Sequence, residues 1–430
     1  MTRWRATASV GRASLVAVAA TTLAVLLGDP VLVVLVAPLA LCAALGLLHV
    51  PGSTPRLDVR LDHSVLHEGQ GTTSRLRLHD ADAAEHVARV SGRAPYLALH
   101  PADGVVGALR SDPSYGPALE VGPRRWGVRR PAGEKVALTT AWGGWRWGPV
   151  PVTAPSLRVL PGRAAYDSRA EMPQPVGLVG AHRAQRTGTG SEFAGIRGFR
   201  VGDRLQRVSW RVSLRTDELH VVSTRSEEDT AVLLVVDALA DHGRSGGVDG
   251  EESSLDLAVR AAAAVARHVG RSGDRVGLRV VGPATGVVGY GSGARHQQRI
   301  LATLAGVRPG RAPEVDAERI RLPVAPGTVV VVFSPMLDDL VSTLTATLTR
   351  KGLPTLVVDT LPRAVHSPGH GPGTGAEELA WRMRLVERDL LLGEVAAHGC
   401  PVVPWRGPGT LDQVLRGFSG PARASRAGAR

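Results

Sequence analysis

Cysteine is nearly absent. The 430 residues contain two, Cys42 in an apolar run and Cys400 near the far end, so neither a disulfide framework nor a four-thiolate zinc site can form. The chain suits a reducing compartment. Lysine is as scarce, with Lys135 and Lys351 alone among 51 basic residues. Set against 39 acidic residues the balance is +12. Because arginine carries nearly all of it, a GC-rich coding bias accounts for the charge as well as selection does, and no nucleic-acid partner follows from it. Enzyme signatures are missing too: there is no Gly-x4-Gly-Lys-Ser/Thr, and Gly188–Gly190 lacks the strand and helix that flank a dinucleotide fingerprint. Gly243, Arg244, Ser245, Gly246 and Gly247 spell Gly-x-Ser-x-Gly, but in a polar run that continues to Gly250 rather than on a strand-to-helix elbow. No His-Glu-x-x-His occurs, and His366 and His370 are four apart only within a Pro/Gly loop. The expectation is a chain that is not an enzyme and holds no cofactor.

What is present is apolar and punctuated. Hydrophobic residues make up 43%, with 51 glycines and 30 prolines, which excludes disorder throughout and predicts many turns and short strands. At about 150 residues per domain the length suggests two or three folded units. Ala13–Leu27 and Val31–Val50 carry no charge, and Gly28, Asp29 and Pro30 lie between them. A membrane span needs about 20 apolar residues and about 17 at the least. The two runs therefore read as a tight transmembrane hairpin over 1–50, with the lipid bilayer as its partner. Arg3, Arg5 and Arg12 precede it and Arg56 and Arg60 follow, while the turn has no cation. This predicts a two-pass protein of the cell membrane with both ends, and the bulk of the chain, in the cytoplasm. A secretory signal peptide ending near Gly28 competes, but a small-x-small cleavage site is missing and a second apolar run follows at once.

Beyond a short Pro51–Pro55 linker, Leu57, Val59 and Leu61 alternate with charged residues, and similar pieces recur at 73–78, 87–90, 126–129 and 136–140. Short alternating strands between Gly and Pro turns predict a β-sandwich over 56–155. Trp142, Trp145 and Trp147 near its end are assigned to core or sheet-edge packing rather than ligand stacking. From residue 231 the rhythm changes to apolar strands alternating with helices. The strands are 232–236, 275–281, 328–333, 355–358 and 401–404; the helices are 255–269, 297–304, 338–350 and 376–398. That pattern predicts an α/β domain over 231–416 with a parallel sheet covered on both faces. A basic tail, 417–430, is expected to be disordered.

Between the two lies an Arg/Gly-rich connecting segment, 156–230. It concentrates Gly190, Glu192, Phe193, Arg197, Phe199, Arg200, Gly202, Asp203, Arg204, Arg207, Trp210, Arg211 and Arg215. Arginine forks pair with carboxylates at fixed geometry, so Glu192 and Asp203 are expected each to lock an arginine. The arginines outnumber the nearby carboxylates, which makes the segment the expected place for a partner with an acidic surface. Gly190 to Phe193, Arg197, Phe199, Gly202, Asp203, Arg207, Trp210 and Leu219, followed by a strand ending in Asp237 and then Gly273 to Leu278, together resemble the domain of unknown function family fifty-eight. The resemblance runs from the hairpin to the last strand. It implies a membrane-anchored protein with a Rossmann-like, von Willebrand factor A-type α/β domain that works with a MoxR-type AAA+ ATPase.

Such a domain binds a divalent cation through Asp-x-Ser-x-Ser after its first strand. Here the run is Asp237, Ala238, Leu239, Ala240 and Asp241, with Ala238 and Ala240 expected in place of the hydroxyl ligands. After 328–333, Ser334 is followed by Pro335 where the pattern resembles Ser-Asp, with Asp338 and Asp339 further on. Asp237 and Asp241 are the remaining metal candidates in a degenerate site. The reading is a non-enzymatic scaffold or adaptor for the ATPase. The alternative is a metal-dependent adhesion or ligand-binding receptor facing outward.

Overall fold

The computed structural model describes residues 3–48, 50–110, 112, 114–162, 187–200, 205–225, 231–283, 286–310, 320, 322, 324, 328–363, 375–406 and 410. The basic tail, the loop with His366 and His370, and Gly202, Asp203 and Arg204 lie outside them. The chain divides into two units, Met1–Arg163 with Gly246–Gly250, and Ala164–Ser245 with Glu251–Arg430.

In the first unit a short strand β1 (Arg5–Ala6) leads into two apolar helices, α1 (Ala8–Leu27) and α2 (Val31–Leu48). The Thr7 hydroxyl caps α1 by accepting the Val10 amide at 3.4 Å. Gly28 ends α1 at φ 66°, where the lack of a Cβ removes the steric cost. The Asp29 carboxylate accepts the Val31 amide at 3.0 Å and starts the return helix. Val10, Ala17, Ala24, Val36, Ala43 and Gly46 are buried, whereas Leu15, Val25, Leu26, Val34 and Leu35 are exposed. Small residues inside with large apolar ones outside is how helices pair in lipid. Each helix is long and apolar enough to cross a membrane.

The rest of this unit is β-structure. One antiparallel sheet runs β2 (Arg56–Leu61), β4 (Thr72–His79), β8 (Leu119–Pro123), β6 (Leu97–His100). A second runs β1, β11 (Trp145–Val152), β10 (Ala132–Thr139), β5 (His86–Gly92), β7 (Val105–Leu109). Side chains alternate across a strand, so Val59, Leu76 and Leu78 of the first sheet meet Val87, Val136, Leu138 and Trp147 of the second in one core. Arg89 on β5 crosses that core. It donates to the Ser74 carbonyl at 2.7 Å and hydroxyl at 2.6 Å, and pairs with Glu134 at 2.9 Å. A third sheet joins β3 (Val65–His67), β12 (Leu157–Leu160) and β9 (Gly127–Arg129) around Leu66, Leu157 and Val159. The strand β12 continues the β-structure past residue 155.

In the second unit a hairpin of β13 (Thr187–Gly198) and β14 (His220–Arg225) encloses a short helix, α3 (Trp210–Thr216). It is followed by a six-stranded sheet in the order β17 (Val287–Gly291), β16 (Arg275–Val281), β15 (Ala231–Asp237), β18 (Val329–Ser334), β19 (Thr355–Asp359), β20 (Val402–Pro404). All neighbours are parallel except β17. Four helices accompany it, α4 (Ser254–Arg271), α5 (Ala294–Leu304), α6 (Asp339–Arg350) and α7 (Gly375–Ala397). Ala231–Asp237 and Val329–Ser334 are buried at every position, which is why they appear in the sequence as unbroken apolar runs. Ser253 and Asp256 form a reciprocal cap that starts α4. The chain builds outward from β15 to β16, then returns to β18 and builds the other way. The carboxyl ends of β15 and β18 thus flank the point where strand order reverses, the place where open parallel sheets leave a crevice.

Candidate functional site

Asp237 ends β15 and Ser334 ends β18, side by side at that reversal. The Ser334 hydroxyl donates to Asp237 Oδ2 at 2.6 Å, the Leu239 amide donates to Oδ1 at 3.0 Å, and the Met336 amide donates to Ser334 Oγ at 2.8 Å. Both side chains are buried. Burial pushes the Asp237 carboxyl up to about 6, against the opposing pull of the Ser334 and Leu239 hydrogen bonds, with Asp338 adding a small upward push.

Counted from Asp237, the two hydroxyl positions of the cation pattern fall on Leu239 and Asp241. Ala238 and Ala240 are the intervening residues, which corrects the assignment above. Leu239 packs into the core beside Val281 and Met336. Asp241 Oδ1 accepts the Leu255 amide at 3.1 Å in the first turn of α4, and the His242 amide donates to the Ser254 hydroxyl at 2.8 Å. The two carboxylates are therefore engaged in separate networks, one closing a strand end and one capping a helix. Among the described residues no group of three or more His, Cys, Asp or Glu is arranged to hold a metal ion.

Helix α7 covers this edge. Arg388 donates through Nε to the Pro335 carbonyl at 2.6 Å and pairs with Asp359 at the end of β19. Arg384 donates to the Leu337 carbonyl, and Trp381 stacks on His242 with ring centroids 6.0 Å apart. Burial holds the His242 ring below its ordinary pKa. Sequence reasoning did not single out Arg388, Asp359 or Trp381. The available signal was spacing: Trp381, Arg388 and Val395 are the buried residues of α7 and lie seven apart, so an arginine stands in the middle of an inward-facing stripe.

The motif residues divide differently. Gly190, Glu192 and Phe193 lie on β13, whose backbone pairs with β14 through an irregular register around Phe193 and Gly195. Arg197 is half-buried and donates to the Gly198 carbonyl at 3.0 Å. Arg207 belongs to the turn Leu205–Arg207 before α3. The expected locks by Glu192 and Asp203 lie outside what is described. Helix α3 is held from below, where Ser213 Oγ accepts the His220 amide at 2.9 Å and donates to the Ser209 carbonyl at 2.9 Å. Its outer side is bare: Trp210 is 61% and Leu214 83% exposed, one turn apart, with Leu205, Ile196 and Leu219 exposed as well. Arg211 and Arg215, also exposed, form a parallel cationic row at the same spacing.

Residues 195–370 match the family described as "Protein of unknown function DUF58". The resemblance read from the motifs holds over that segment, which is narrower than the span from hairpin to last strand expected from the sequence. An uncharacterised protein of Mycobacterium bovis is 34% identical over 152 residues, 33% of this chain and 46% of the relative. An uncharacterised protein of Mycobacterium tuberculosis matches to the same extent. The chain thus spans about half the length of the curated relatives it matches.

Proposed function

We propose that the chain is a membrane-anchored adaptor that works by docking rather than by chemistry. The observation that carries this is the contrast within the second unit. The strand-end residues that would serve a reaction or a cation are engaged in hydrogen bonds beneath α7, while Trp210 and Leu214 stand exposed beside Arg211 and Arg215 inside the family segment. Exposed tryptophan next to arginine is the composition of an interface hot spot. The occupant is an acidic, partly apolar surface, and the family resemblance makes a MoxR-type AAA+ ATPase the partner, since this chain has no phosphate-binding loop to hydrolyse ATP itself. A von Willebrand A-type fold with a degenerate cation site accords with the reversal point between β15 and β18 and its single strand-end aspartate.

The anchor is the helical hairpin, two-pass, with both ends and the folded units in the cytoplasm. A C-terminal reporter active only outside the cytoplasm stays silent on this reading; activity there would favour the outward-facing receptor. The docking role is tested by cross-linking in native membranes and identifying the captured proteins, for the wild type and for Arg204→Ala and Arg211→Ala, with thermal stability measured alongside. Capture lost at unchanged stability supports docking. Stability lost with it assigns the arginines to folding, and no change in either removes the segment from the account.

A further inference from the structure

The sandwich is joined to the hairpin by more than the linker. The Thr7 amide donates to the Gly144 carbonyl at 3.0 Å, the Thr7 hydroxyl donates to the Gly143 carbonyl at 2.5 Å, and Arg5 and Ala6 pair with Arg146 and Trp145. A Cβ on Gly144 would lie 1.8 Å from the Gly46 carbonyl oxygen, so the turn 141–144 touches the end of α2 backbone to backbone. Trp4 closes the same end by donating to the Ser53 carbonyl at 2.9 Å. Gly46 is within one helical turn, about 5.4 Å of rise, of the end of α2. Exposed Leu47, Leu48 and Val50 continue the apolar surface to this level.

At that level stands Trp142, 60% exposed, with φ 59°. A bulky residue in the left-handed region costs on the order of 1 kcal/mol or more and persists where its surroundings fix it, which is a reason to ask what the side chain does there. It contributes nothing to the sandwich core, unlike Trp147. The exposed cations Arg3, Arg5, Arg12 and Arg146 belong to the same end of the unit. Asp29, at the opposite end of the hairpin, is the one acidic residue in 1–55, and 135–166 contains none.

We infer that the turn 141–144 is a lipid-headgroup contact: Trp142 enters the interfacial layer, and the surrounding arginines bind the phosphates of anionic phospholipids. Tryptophan is favoured at that depth because its ring is apolar and its N–H is wet. Basic clusters at the end of a span attract anionic lipid. The inference rests on the hairpin crossing a bilayer. It gives the first unit a fixed stance on the membrane instead of a tether.

The test uses the full chain in phosphatidylcholine vesicles with and without phosphatidylglycerol, brominated near the glycerol end of the acyl chains. The Trp142 emission is the wild type minus Trp142→Phe. We expect bromine to quench it, as for a tryptophan at the interfacial depth, and aqueous iodide to leave it nearly unchanged. We also expect phosphatidylglycerol to deepen the bromine quenching in the wild type but not in Arg5→Gln/Arg146→Gln. Quenching by iodide alone would overturn the contact, and an effect indifferent to phosphatidylglycerol would overturn the role of the arginines. Alkaline carbonate separates the two levels. A chain that resists extraction while Trp142 sits in water sinks this inference alone; a chain that is released sinks the membrane-spanning reading beneath it as well.

Discussion

Glu134 in the first unit and Asp237 in the second are both shut away from water, 1% and 3% exposed, yet their surroundings differ in kind. Glu134 faces a fully buried guanidinium, and the same Arg89 reaches Ser74 on the opposing sheet, so the pair straps the sandwich together. Asp237 has a hydroxyl and an amide against it and, among the described residues, no cation. A paired buried charge can be sustained without loss, whereas an unpaired one raises its own pKa and costs stability when ionised. The first arrangement serves the fold. The second sits where the sheet reverses its strand order, and its burial without a cation costs stability once the carboxyl ionises. Helix α7 lies against the same edge through Arg388 and Arg384, whereas Trp210 and Leu214 of α3 are exposed.

The largest effect that sharpens this contrast is expected at the strap. Arg89→Met leaves Glu134 buried and alone, which costs about 3–5 kcal/mol, read as a lower urea midpoint for the first unit. Adding Glu134→Leu should recover most of the loss, because two apolar residues replace the pair. A single variant as stable as the wild type would show that water reaches the site, and the comparison with Asp237 would collapse.

The next effect is a pH dependence of the opposite origin. With a folded pKa of about 6 and an ordinary value of 3.8, Asp237 binds its proton more tightly when folded, so stability is greatest below about pH 4, falls as pH rises through 6, and then levels off. Two pKa units correspond to about 3 kcal/mol. Asp237→Asn keeps the acceptor for the Leu239 amide and removes the charge, so that fall should disappear from denaturation midpoints taken between pH 4 and 7. An unaltered slope would mean that another group carries it.

How much of this was visible beforehand follows from range. Arg275–Val281 coincides with the strand as read, and the ends of α4, α6 and α7 differ from expectation by at most two residues, because local periodicity and caps such as Ser253 and Asp338 specify them. The strand β17 was missed: Val287–Gly291 has glycine at two of five positions and pairs antiparallel at an edge, so it lacks the apolar run of its neighbours. The two-residue β1 has no pattern at all and exists only through its register with β11. At the site, Asp237 and Ser334 were legible as strand ends. Their hydrogen bond was not, since it spans 97 residues and depends on β15 and β18 being neighbours. Trp142, assigned with Trp145 and Trp147 to core or sheet-edge packing by sequence, is exposed on a turn that packs against α2.

A smaller effect should appear at the hairpin and leave the fold alone. Trp210→Ala removes an exposed ring, so melting should hardly change, while capture of the proposed partner is expected to weaken by about 2 kcal/mol if the ring fills a pocket on it. Leu214→Ala, one turn away, should act in the same direction. Loss of melting temperature in either variant would show that α3 is held by its outer face as well as through Ser213.

The smallest effect concerns the cation. Leu239 packs in the core, Asp241 caps α4, Pro335 has no ligating side chain, and Asp237 is engaged by Ser334 and Leu239. A divalent ion usually takes six or more oxygens, so a site assembled here would require breaking the Ser334 bond and drawing Asp237 out from beneath α7. Binding of magnesium or calcium is therefore expected no tighter than about millimolar. Stabilisation by a ligand grows as RT ln(1 + [L]/Kd), so 1 mM of an ion with a Kd of about 1 mM adds about 0.4 kcal/mol, against about 4 for a Kd of about 1 µM. Those two cases differ tenfold in the shift of the urea midpoint, and calorimetry checks the same number directly. A micromolar site that vanished in Asp237→Ala would mean that the carboxyl edge opens in solution, that the contrast between Glu134 and Asp237 describes only its closed state, and that the receptor reading regains its cation.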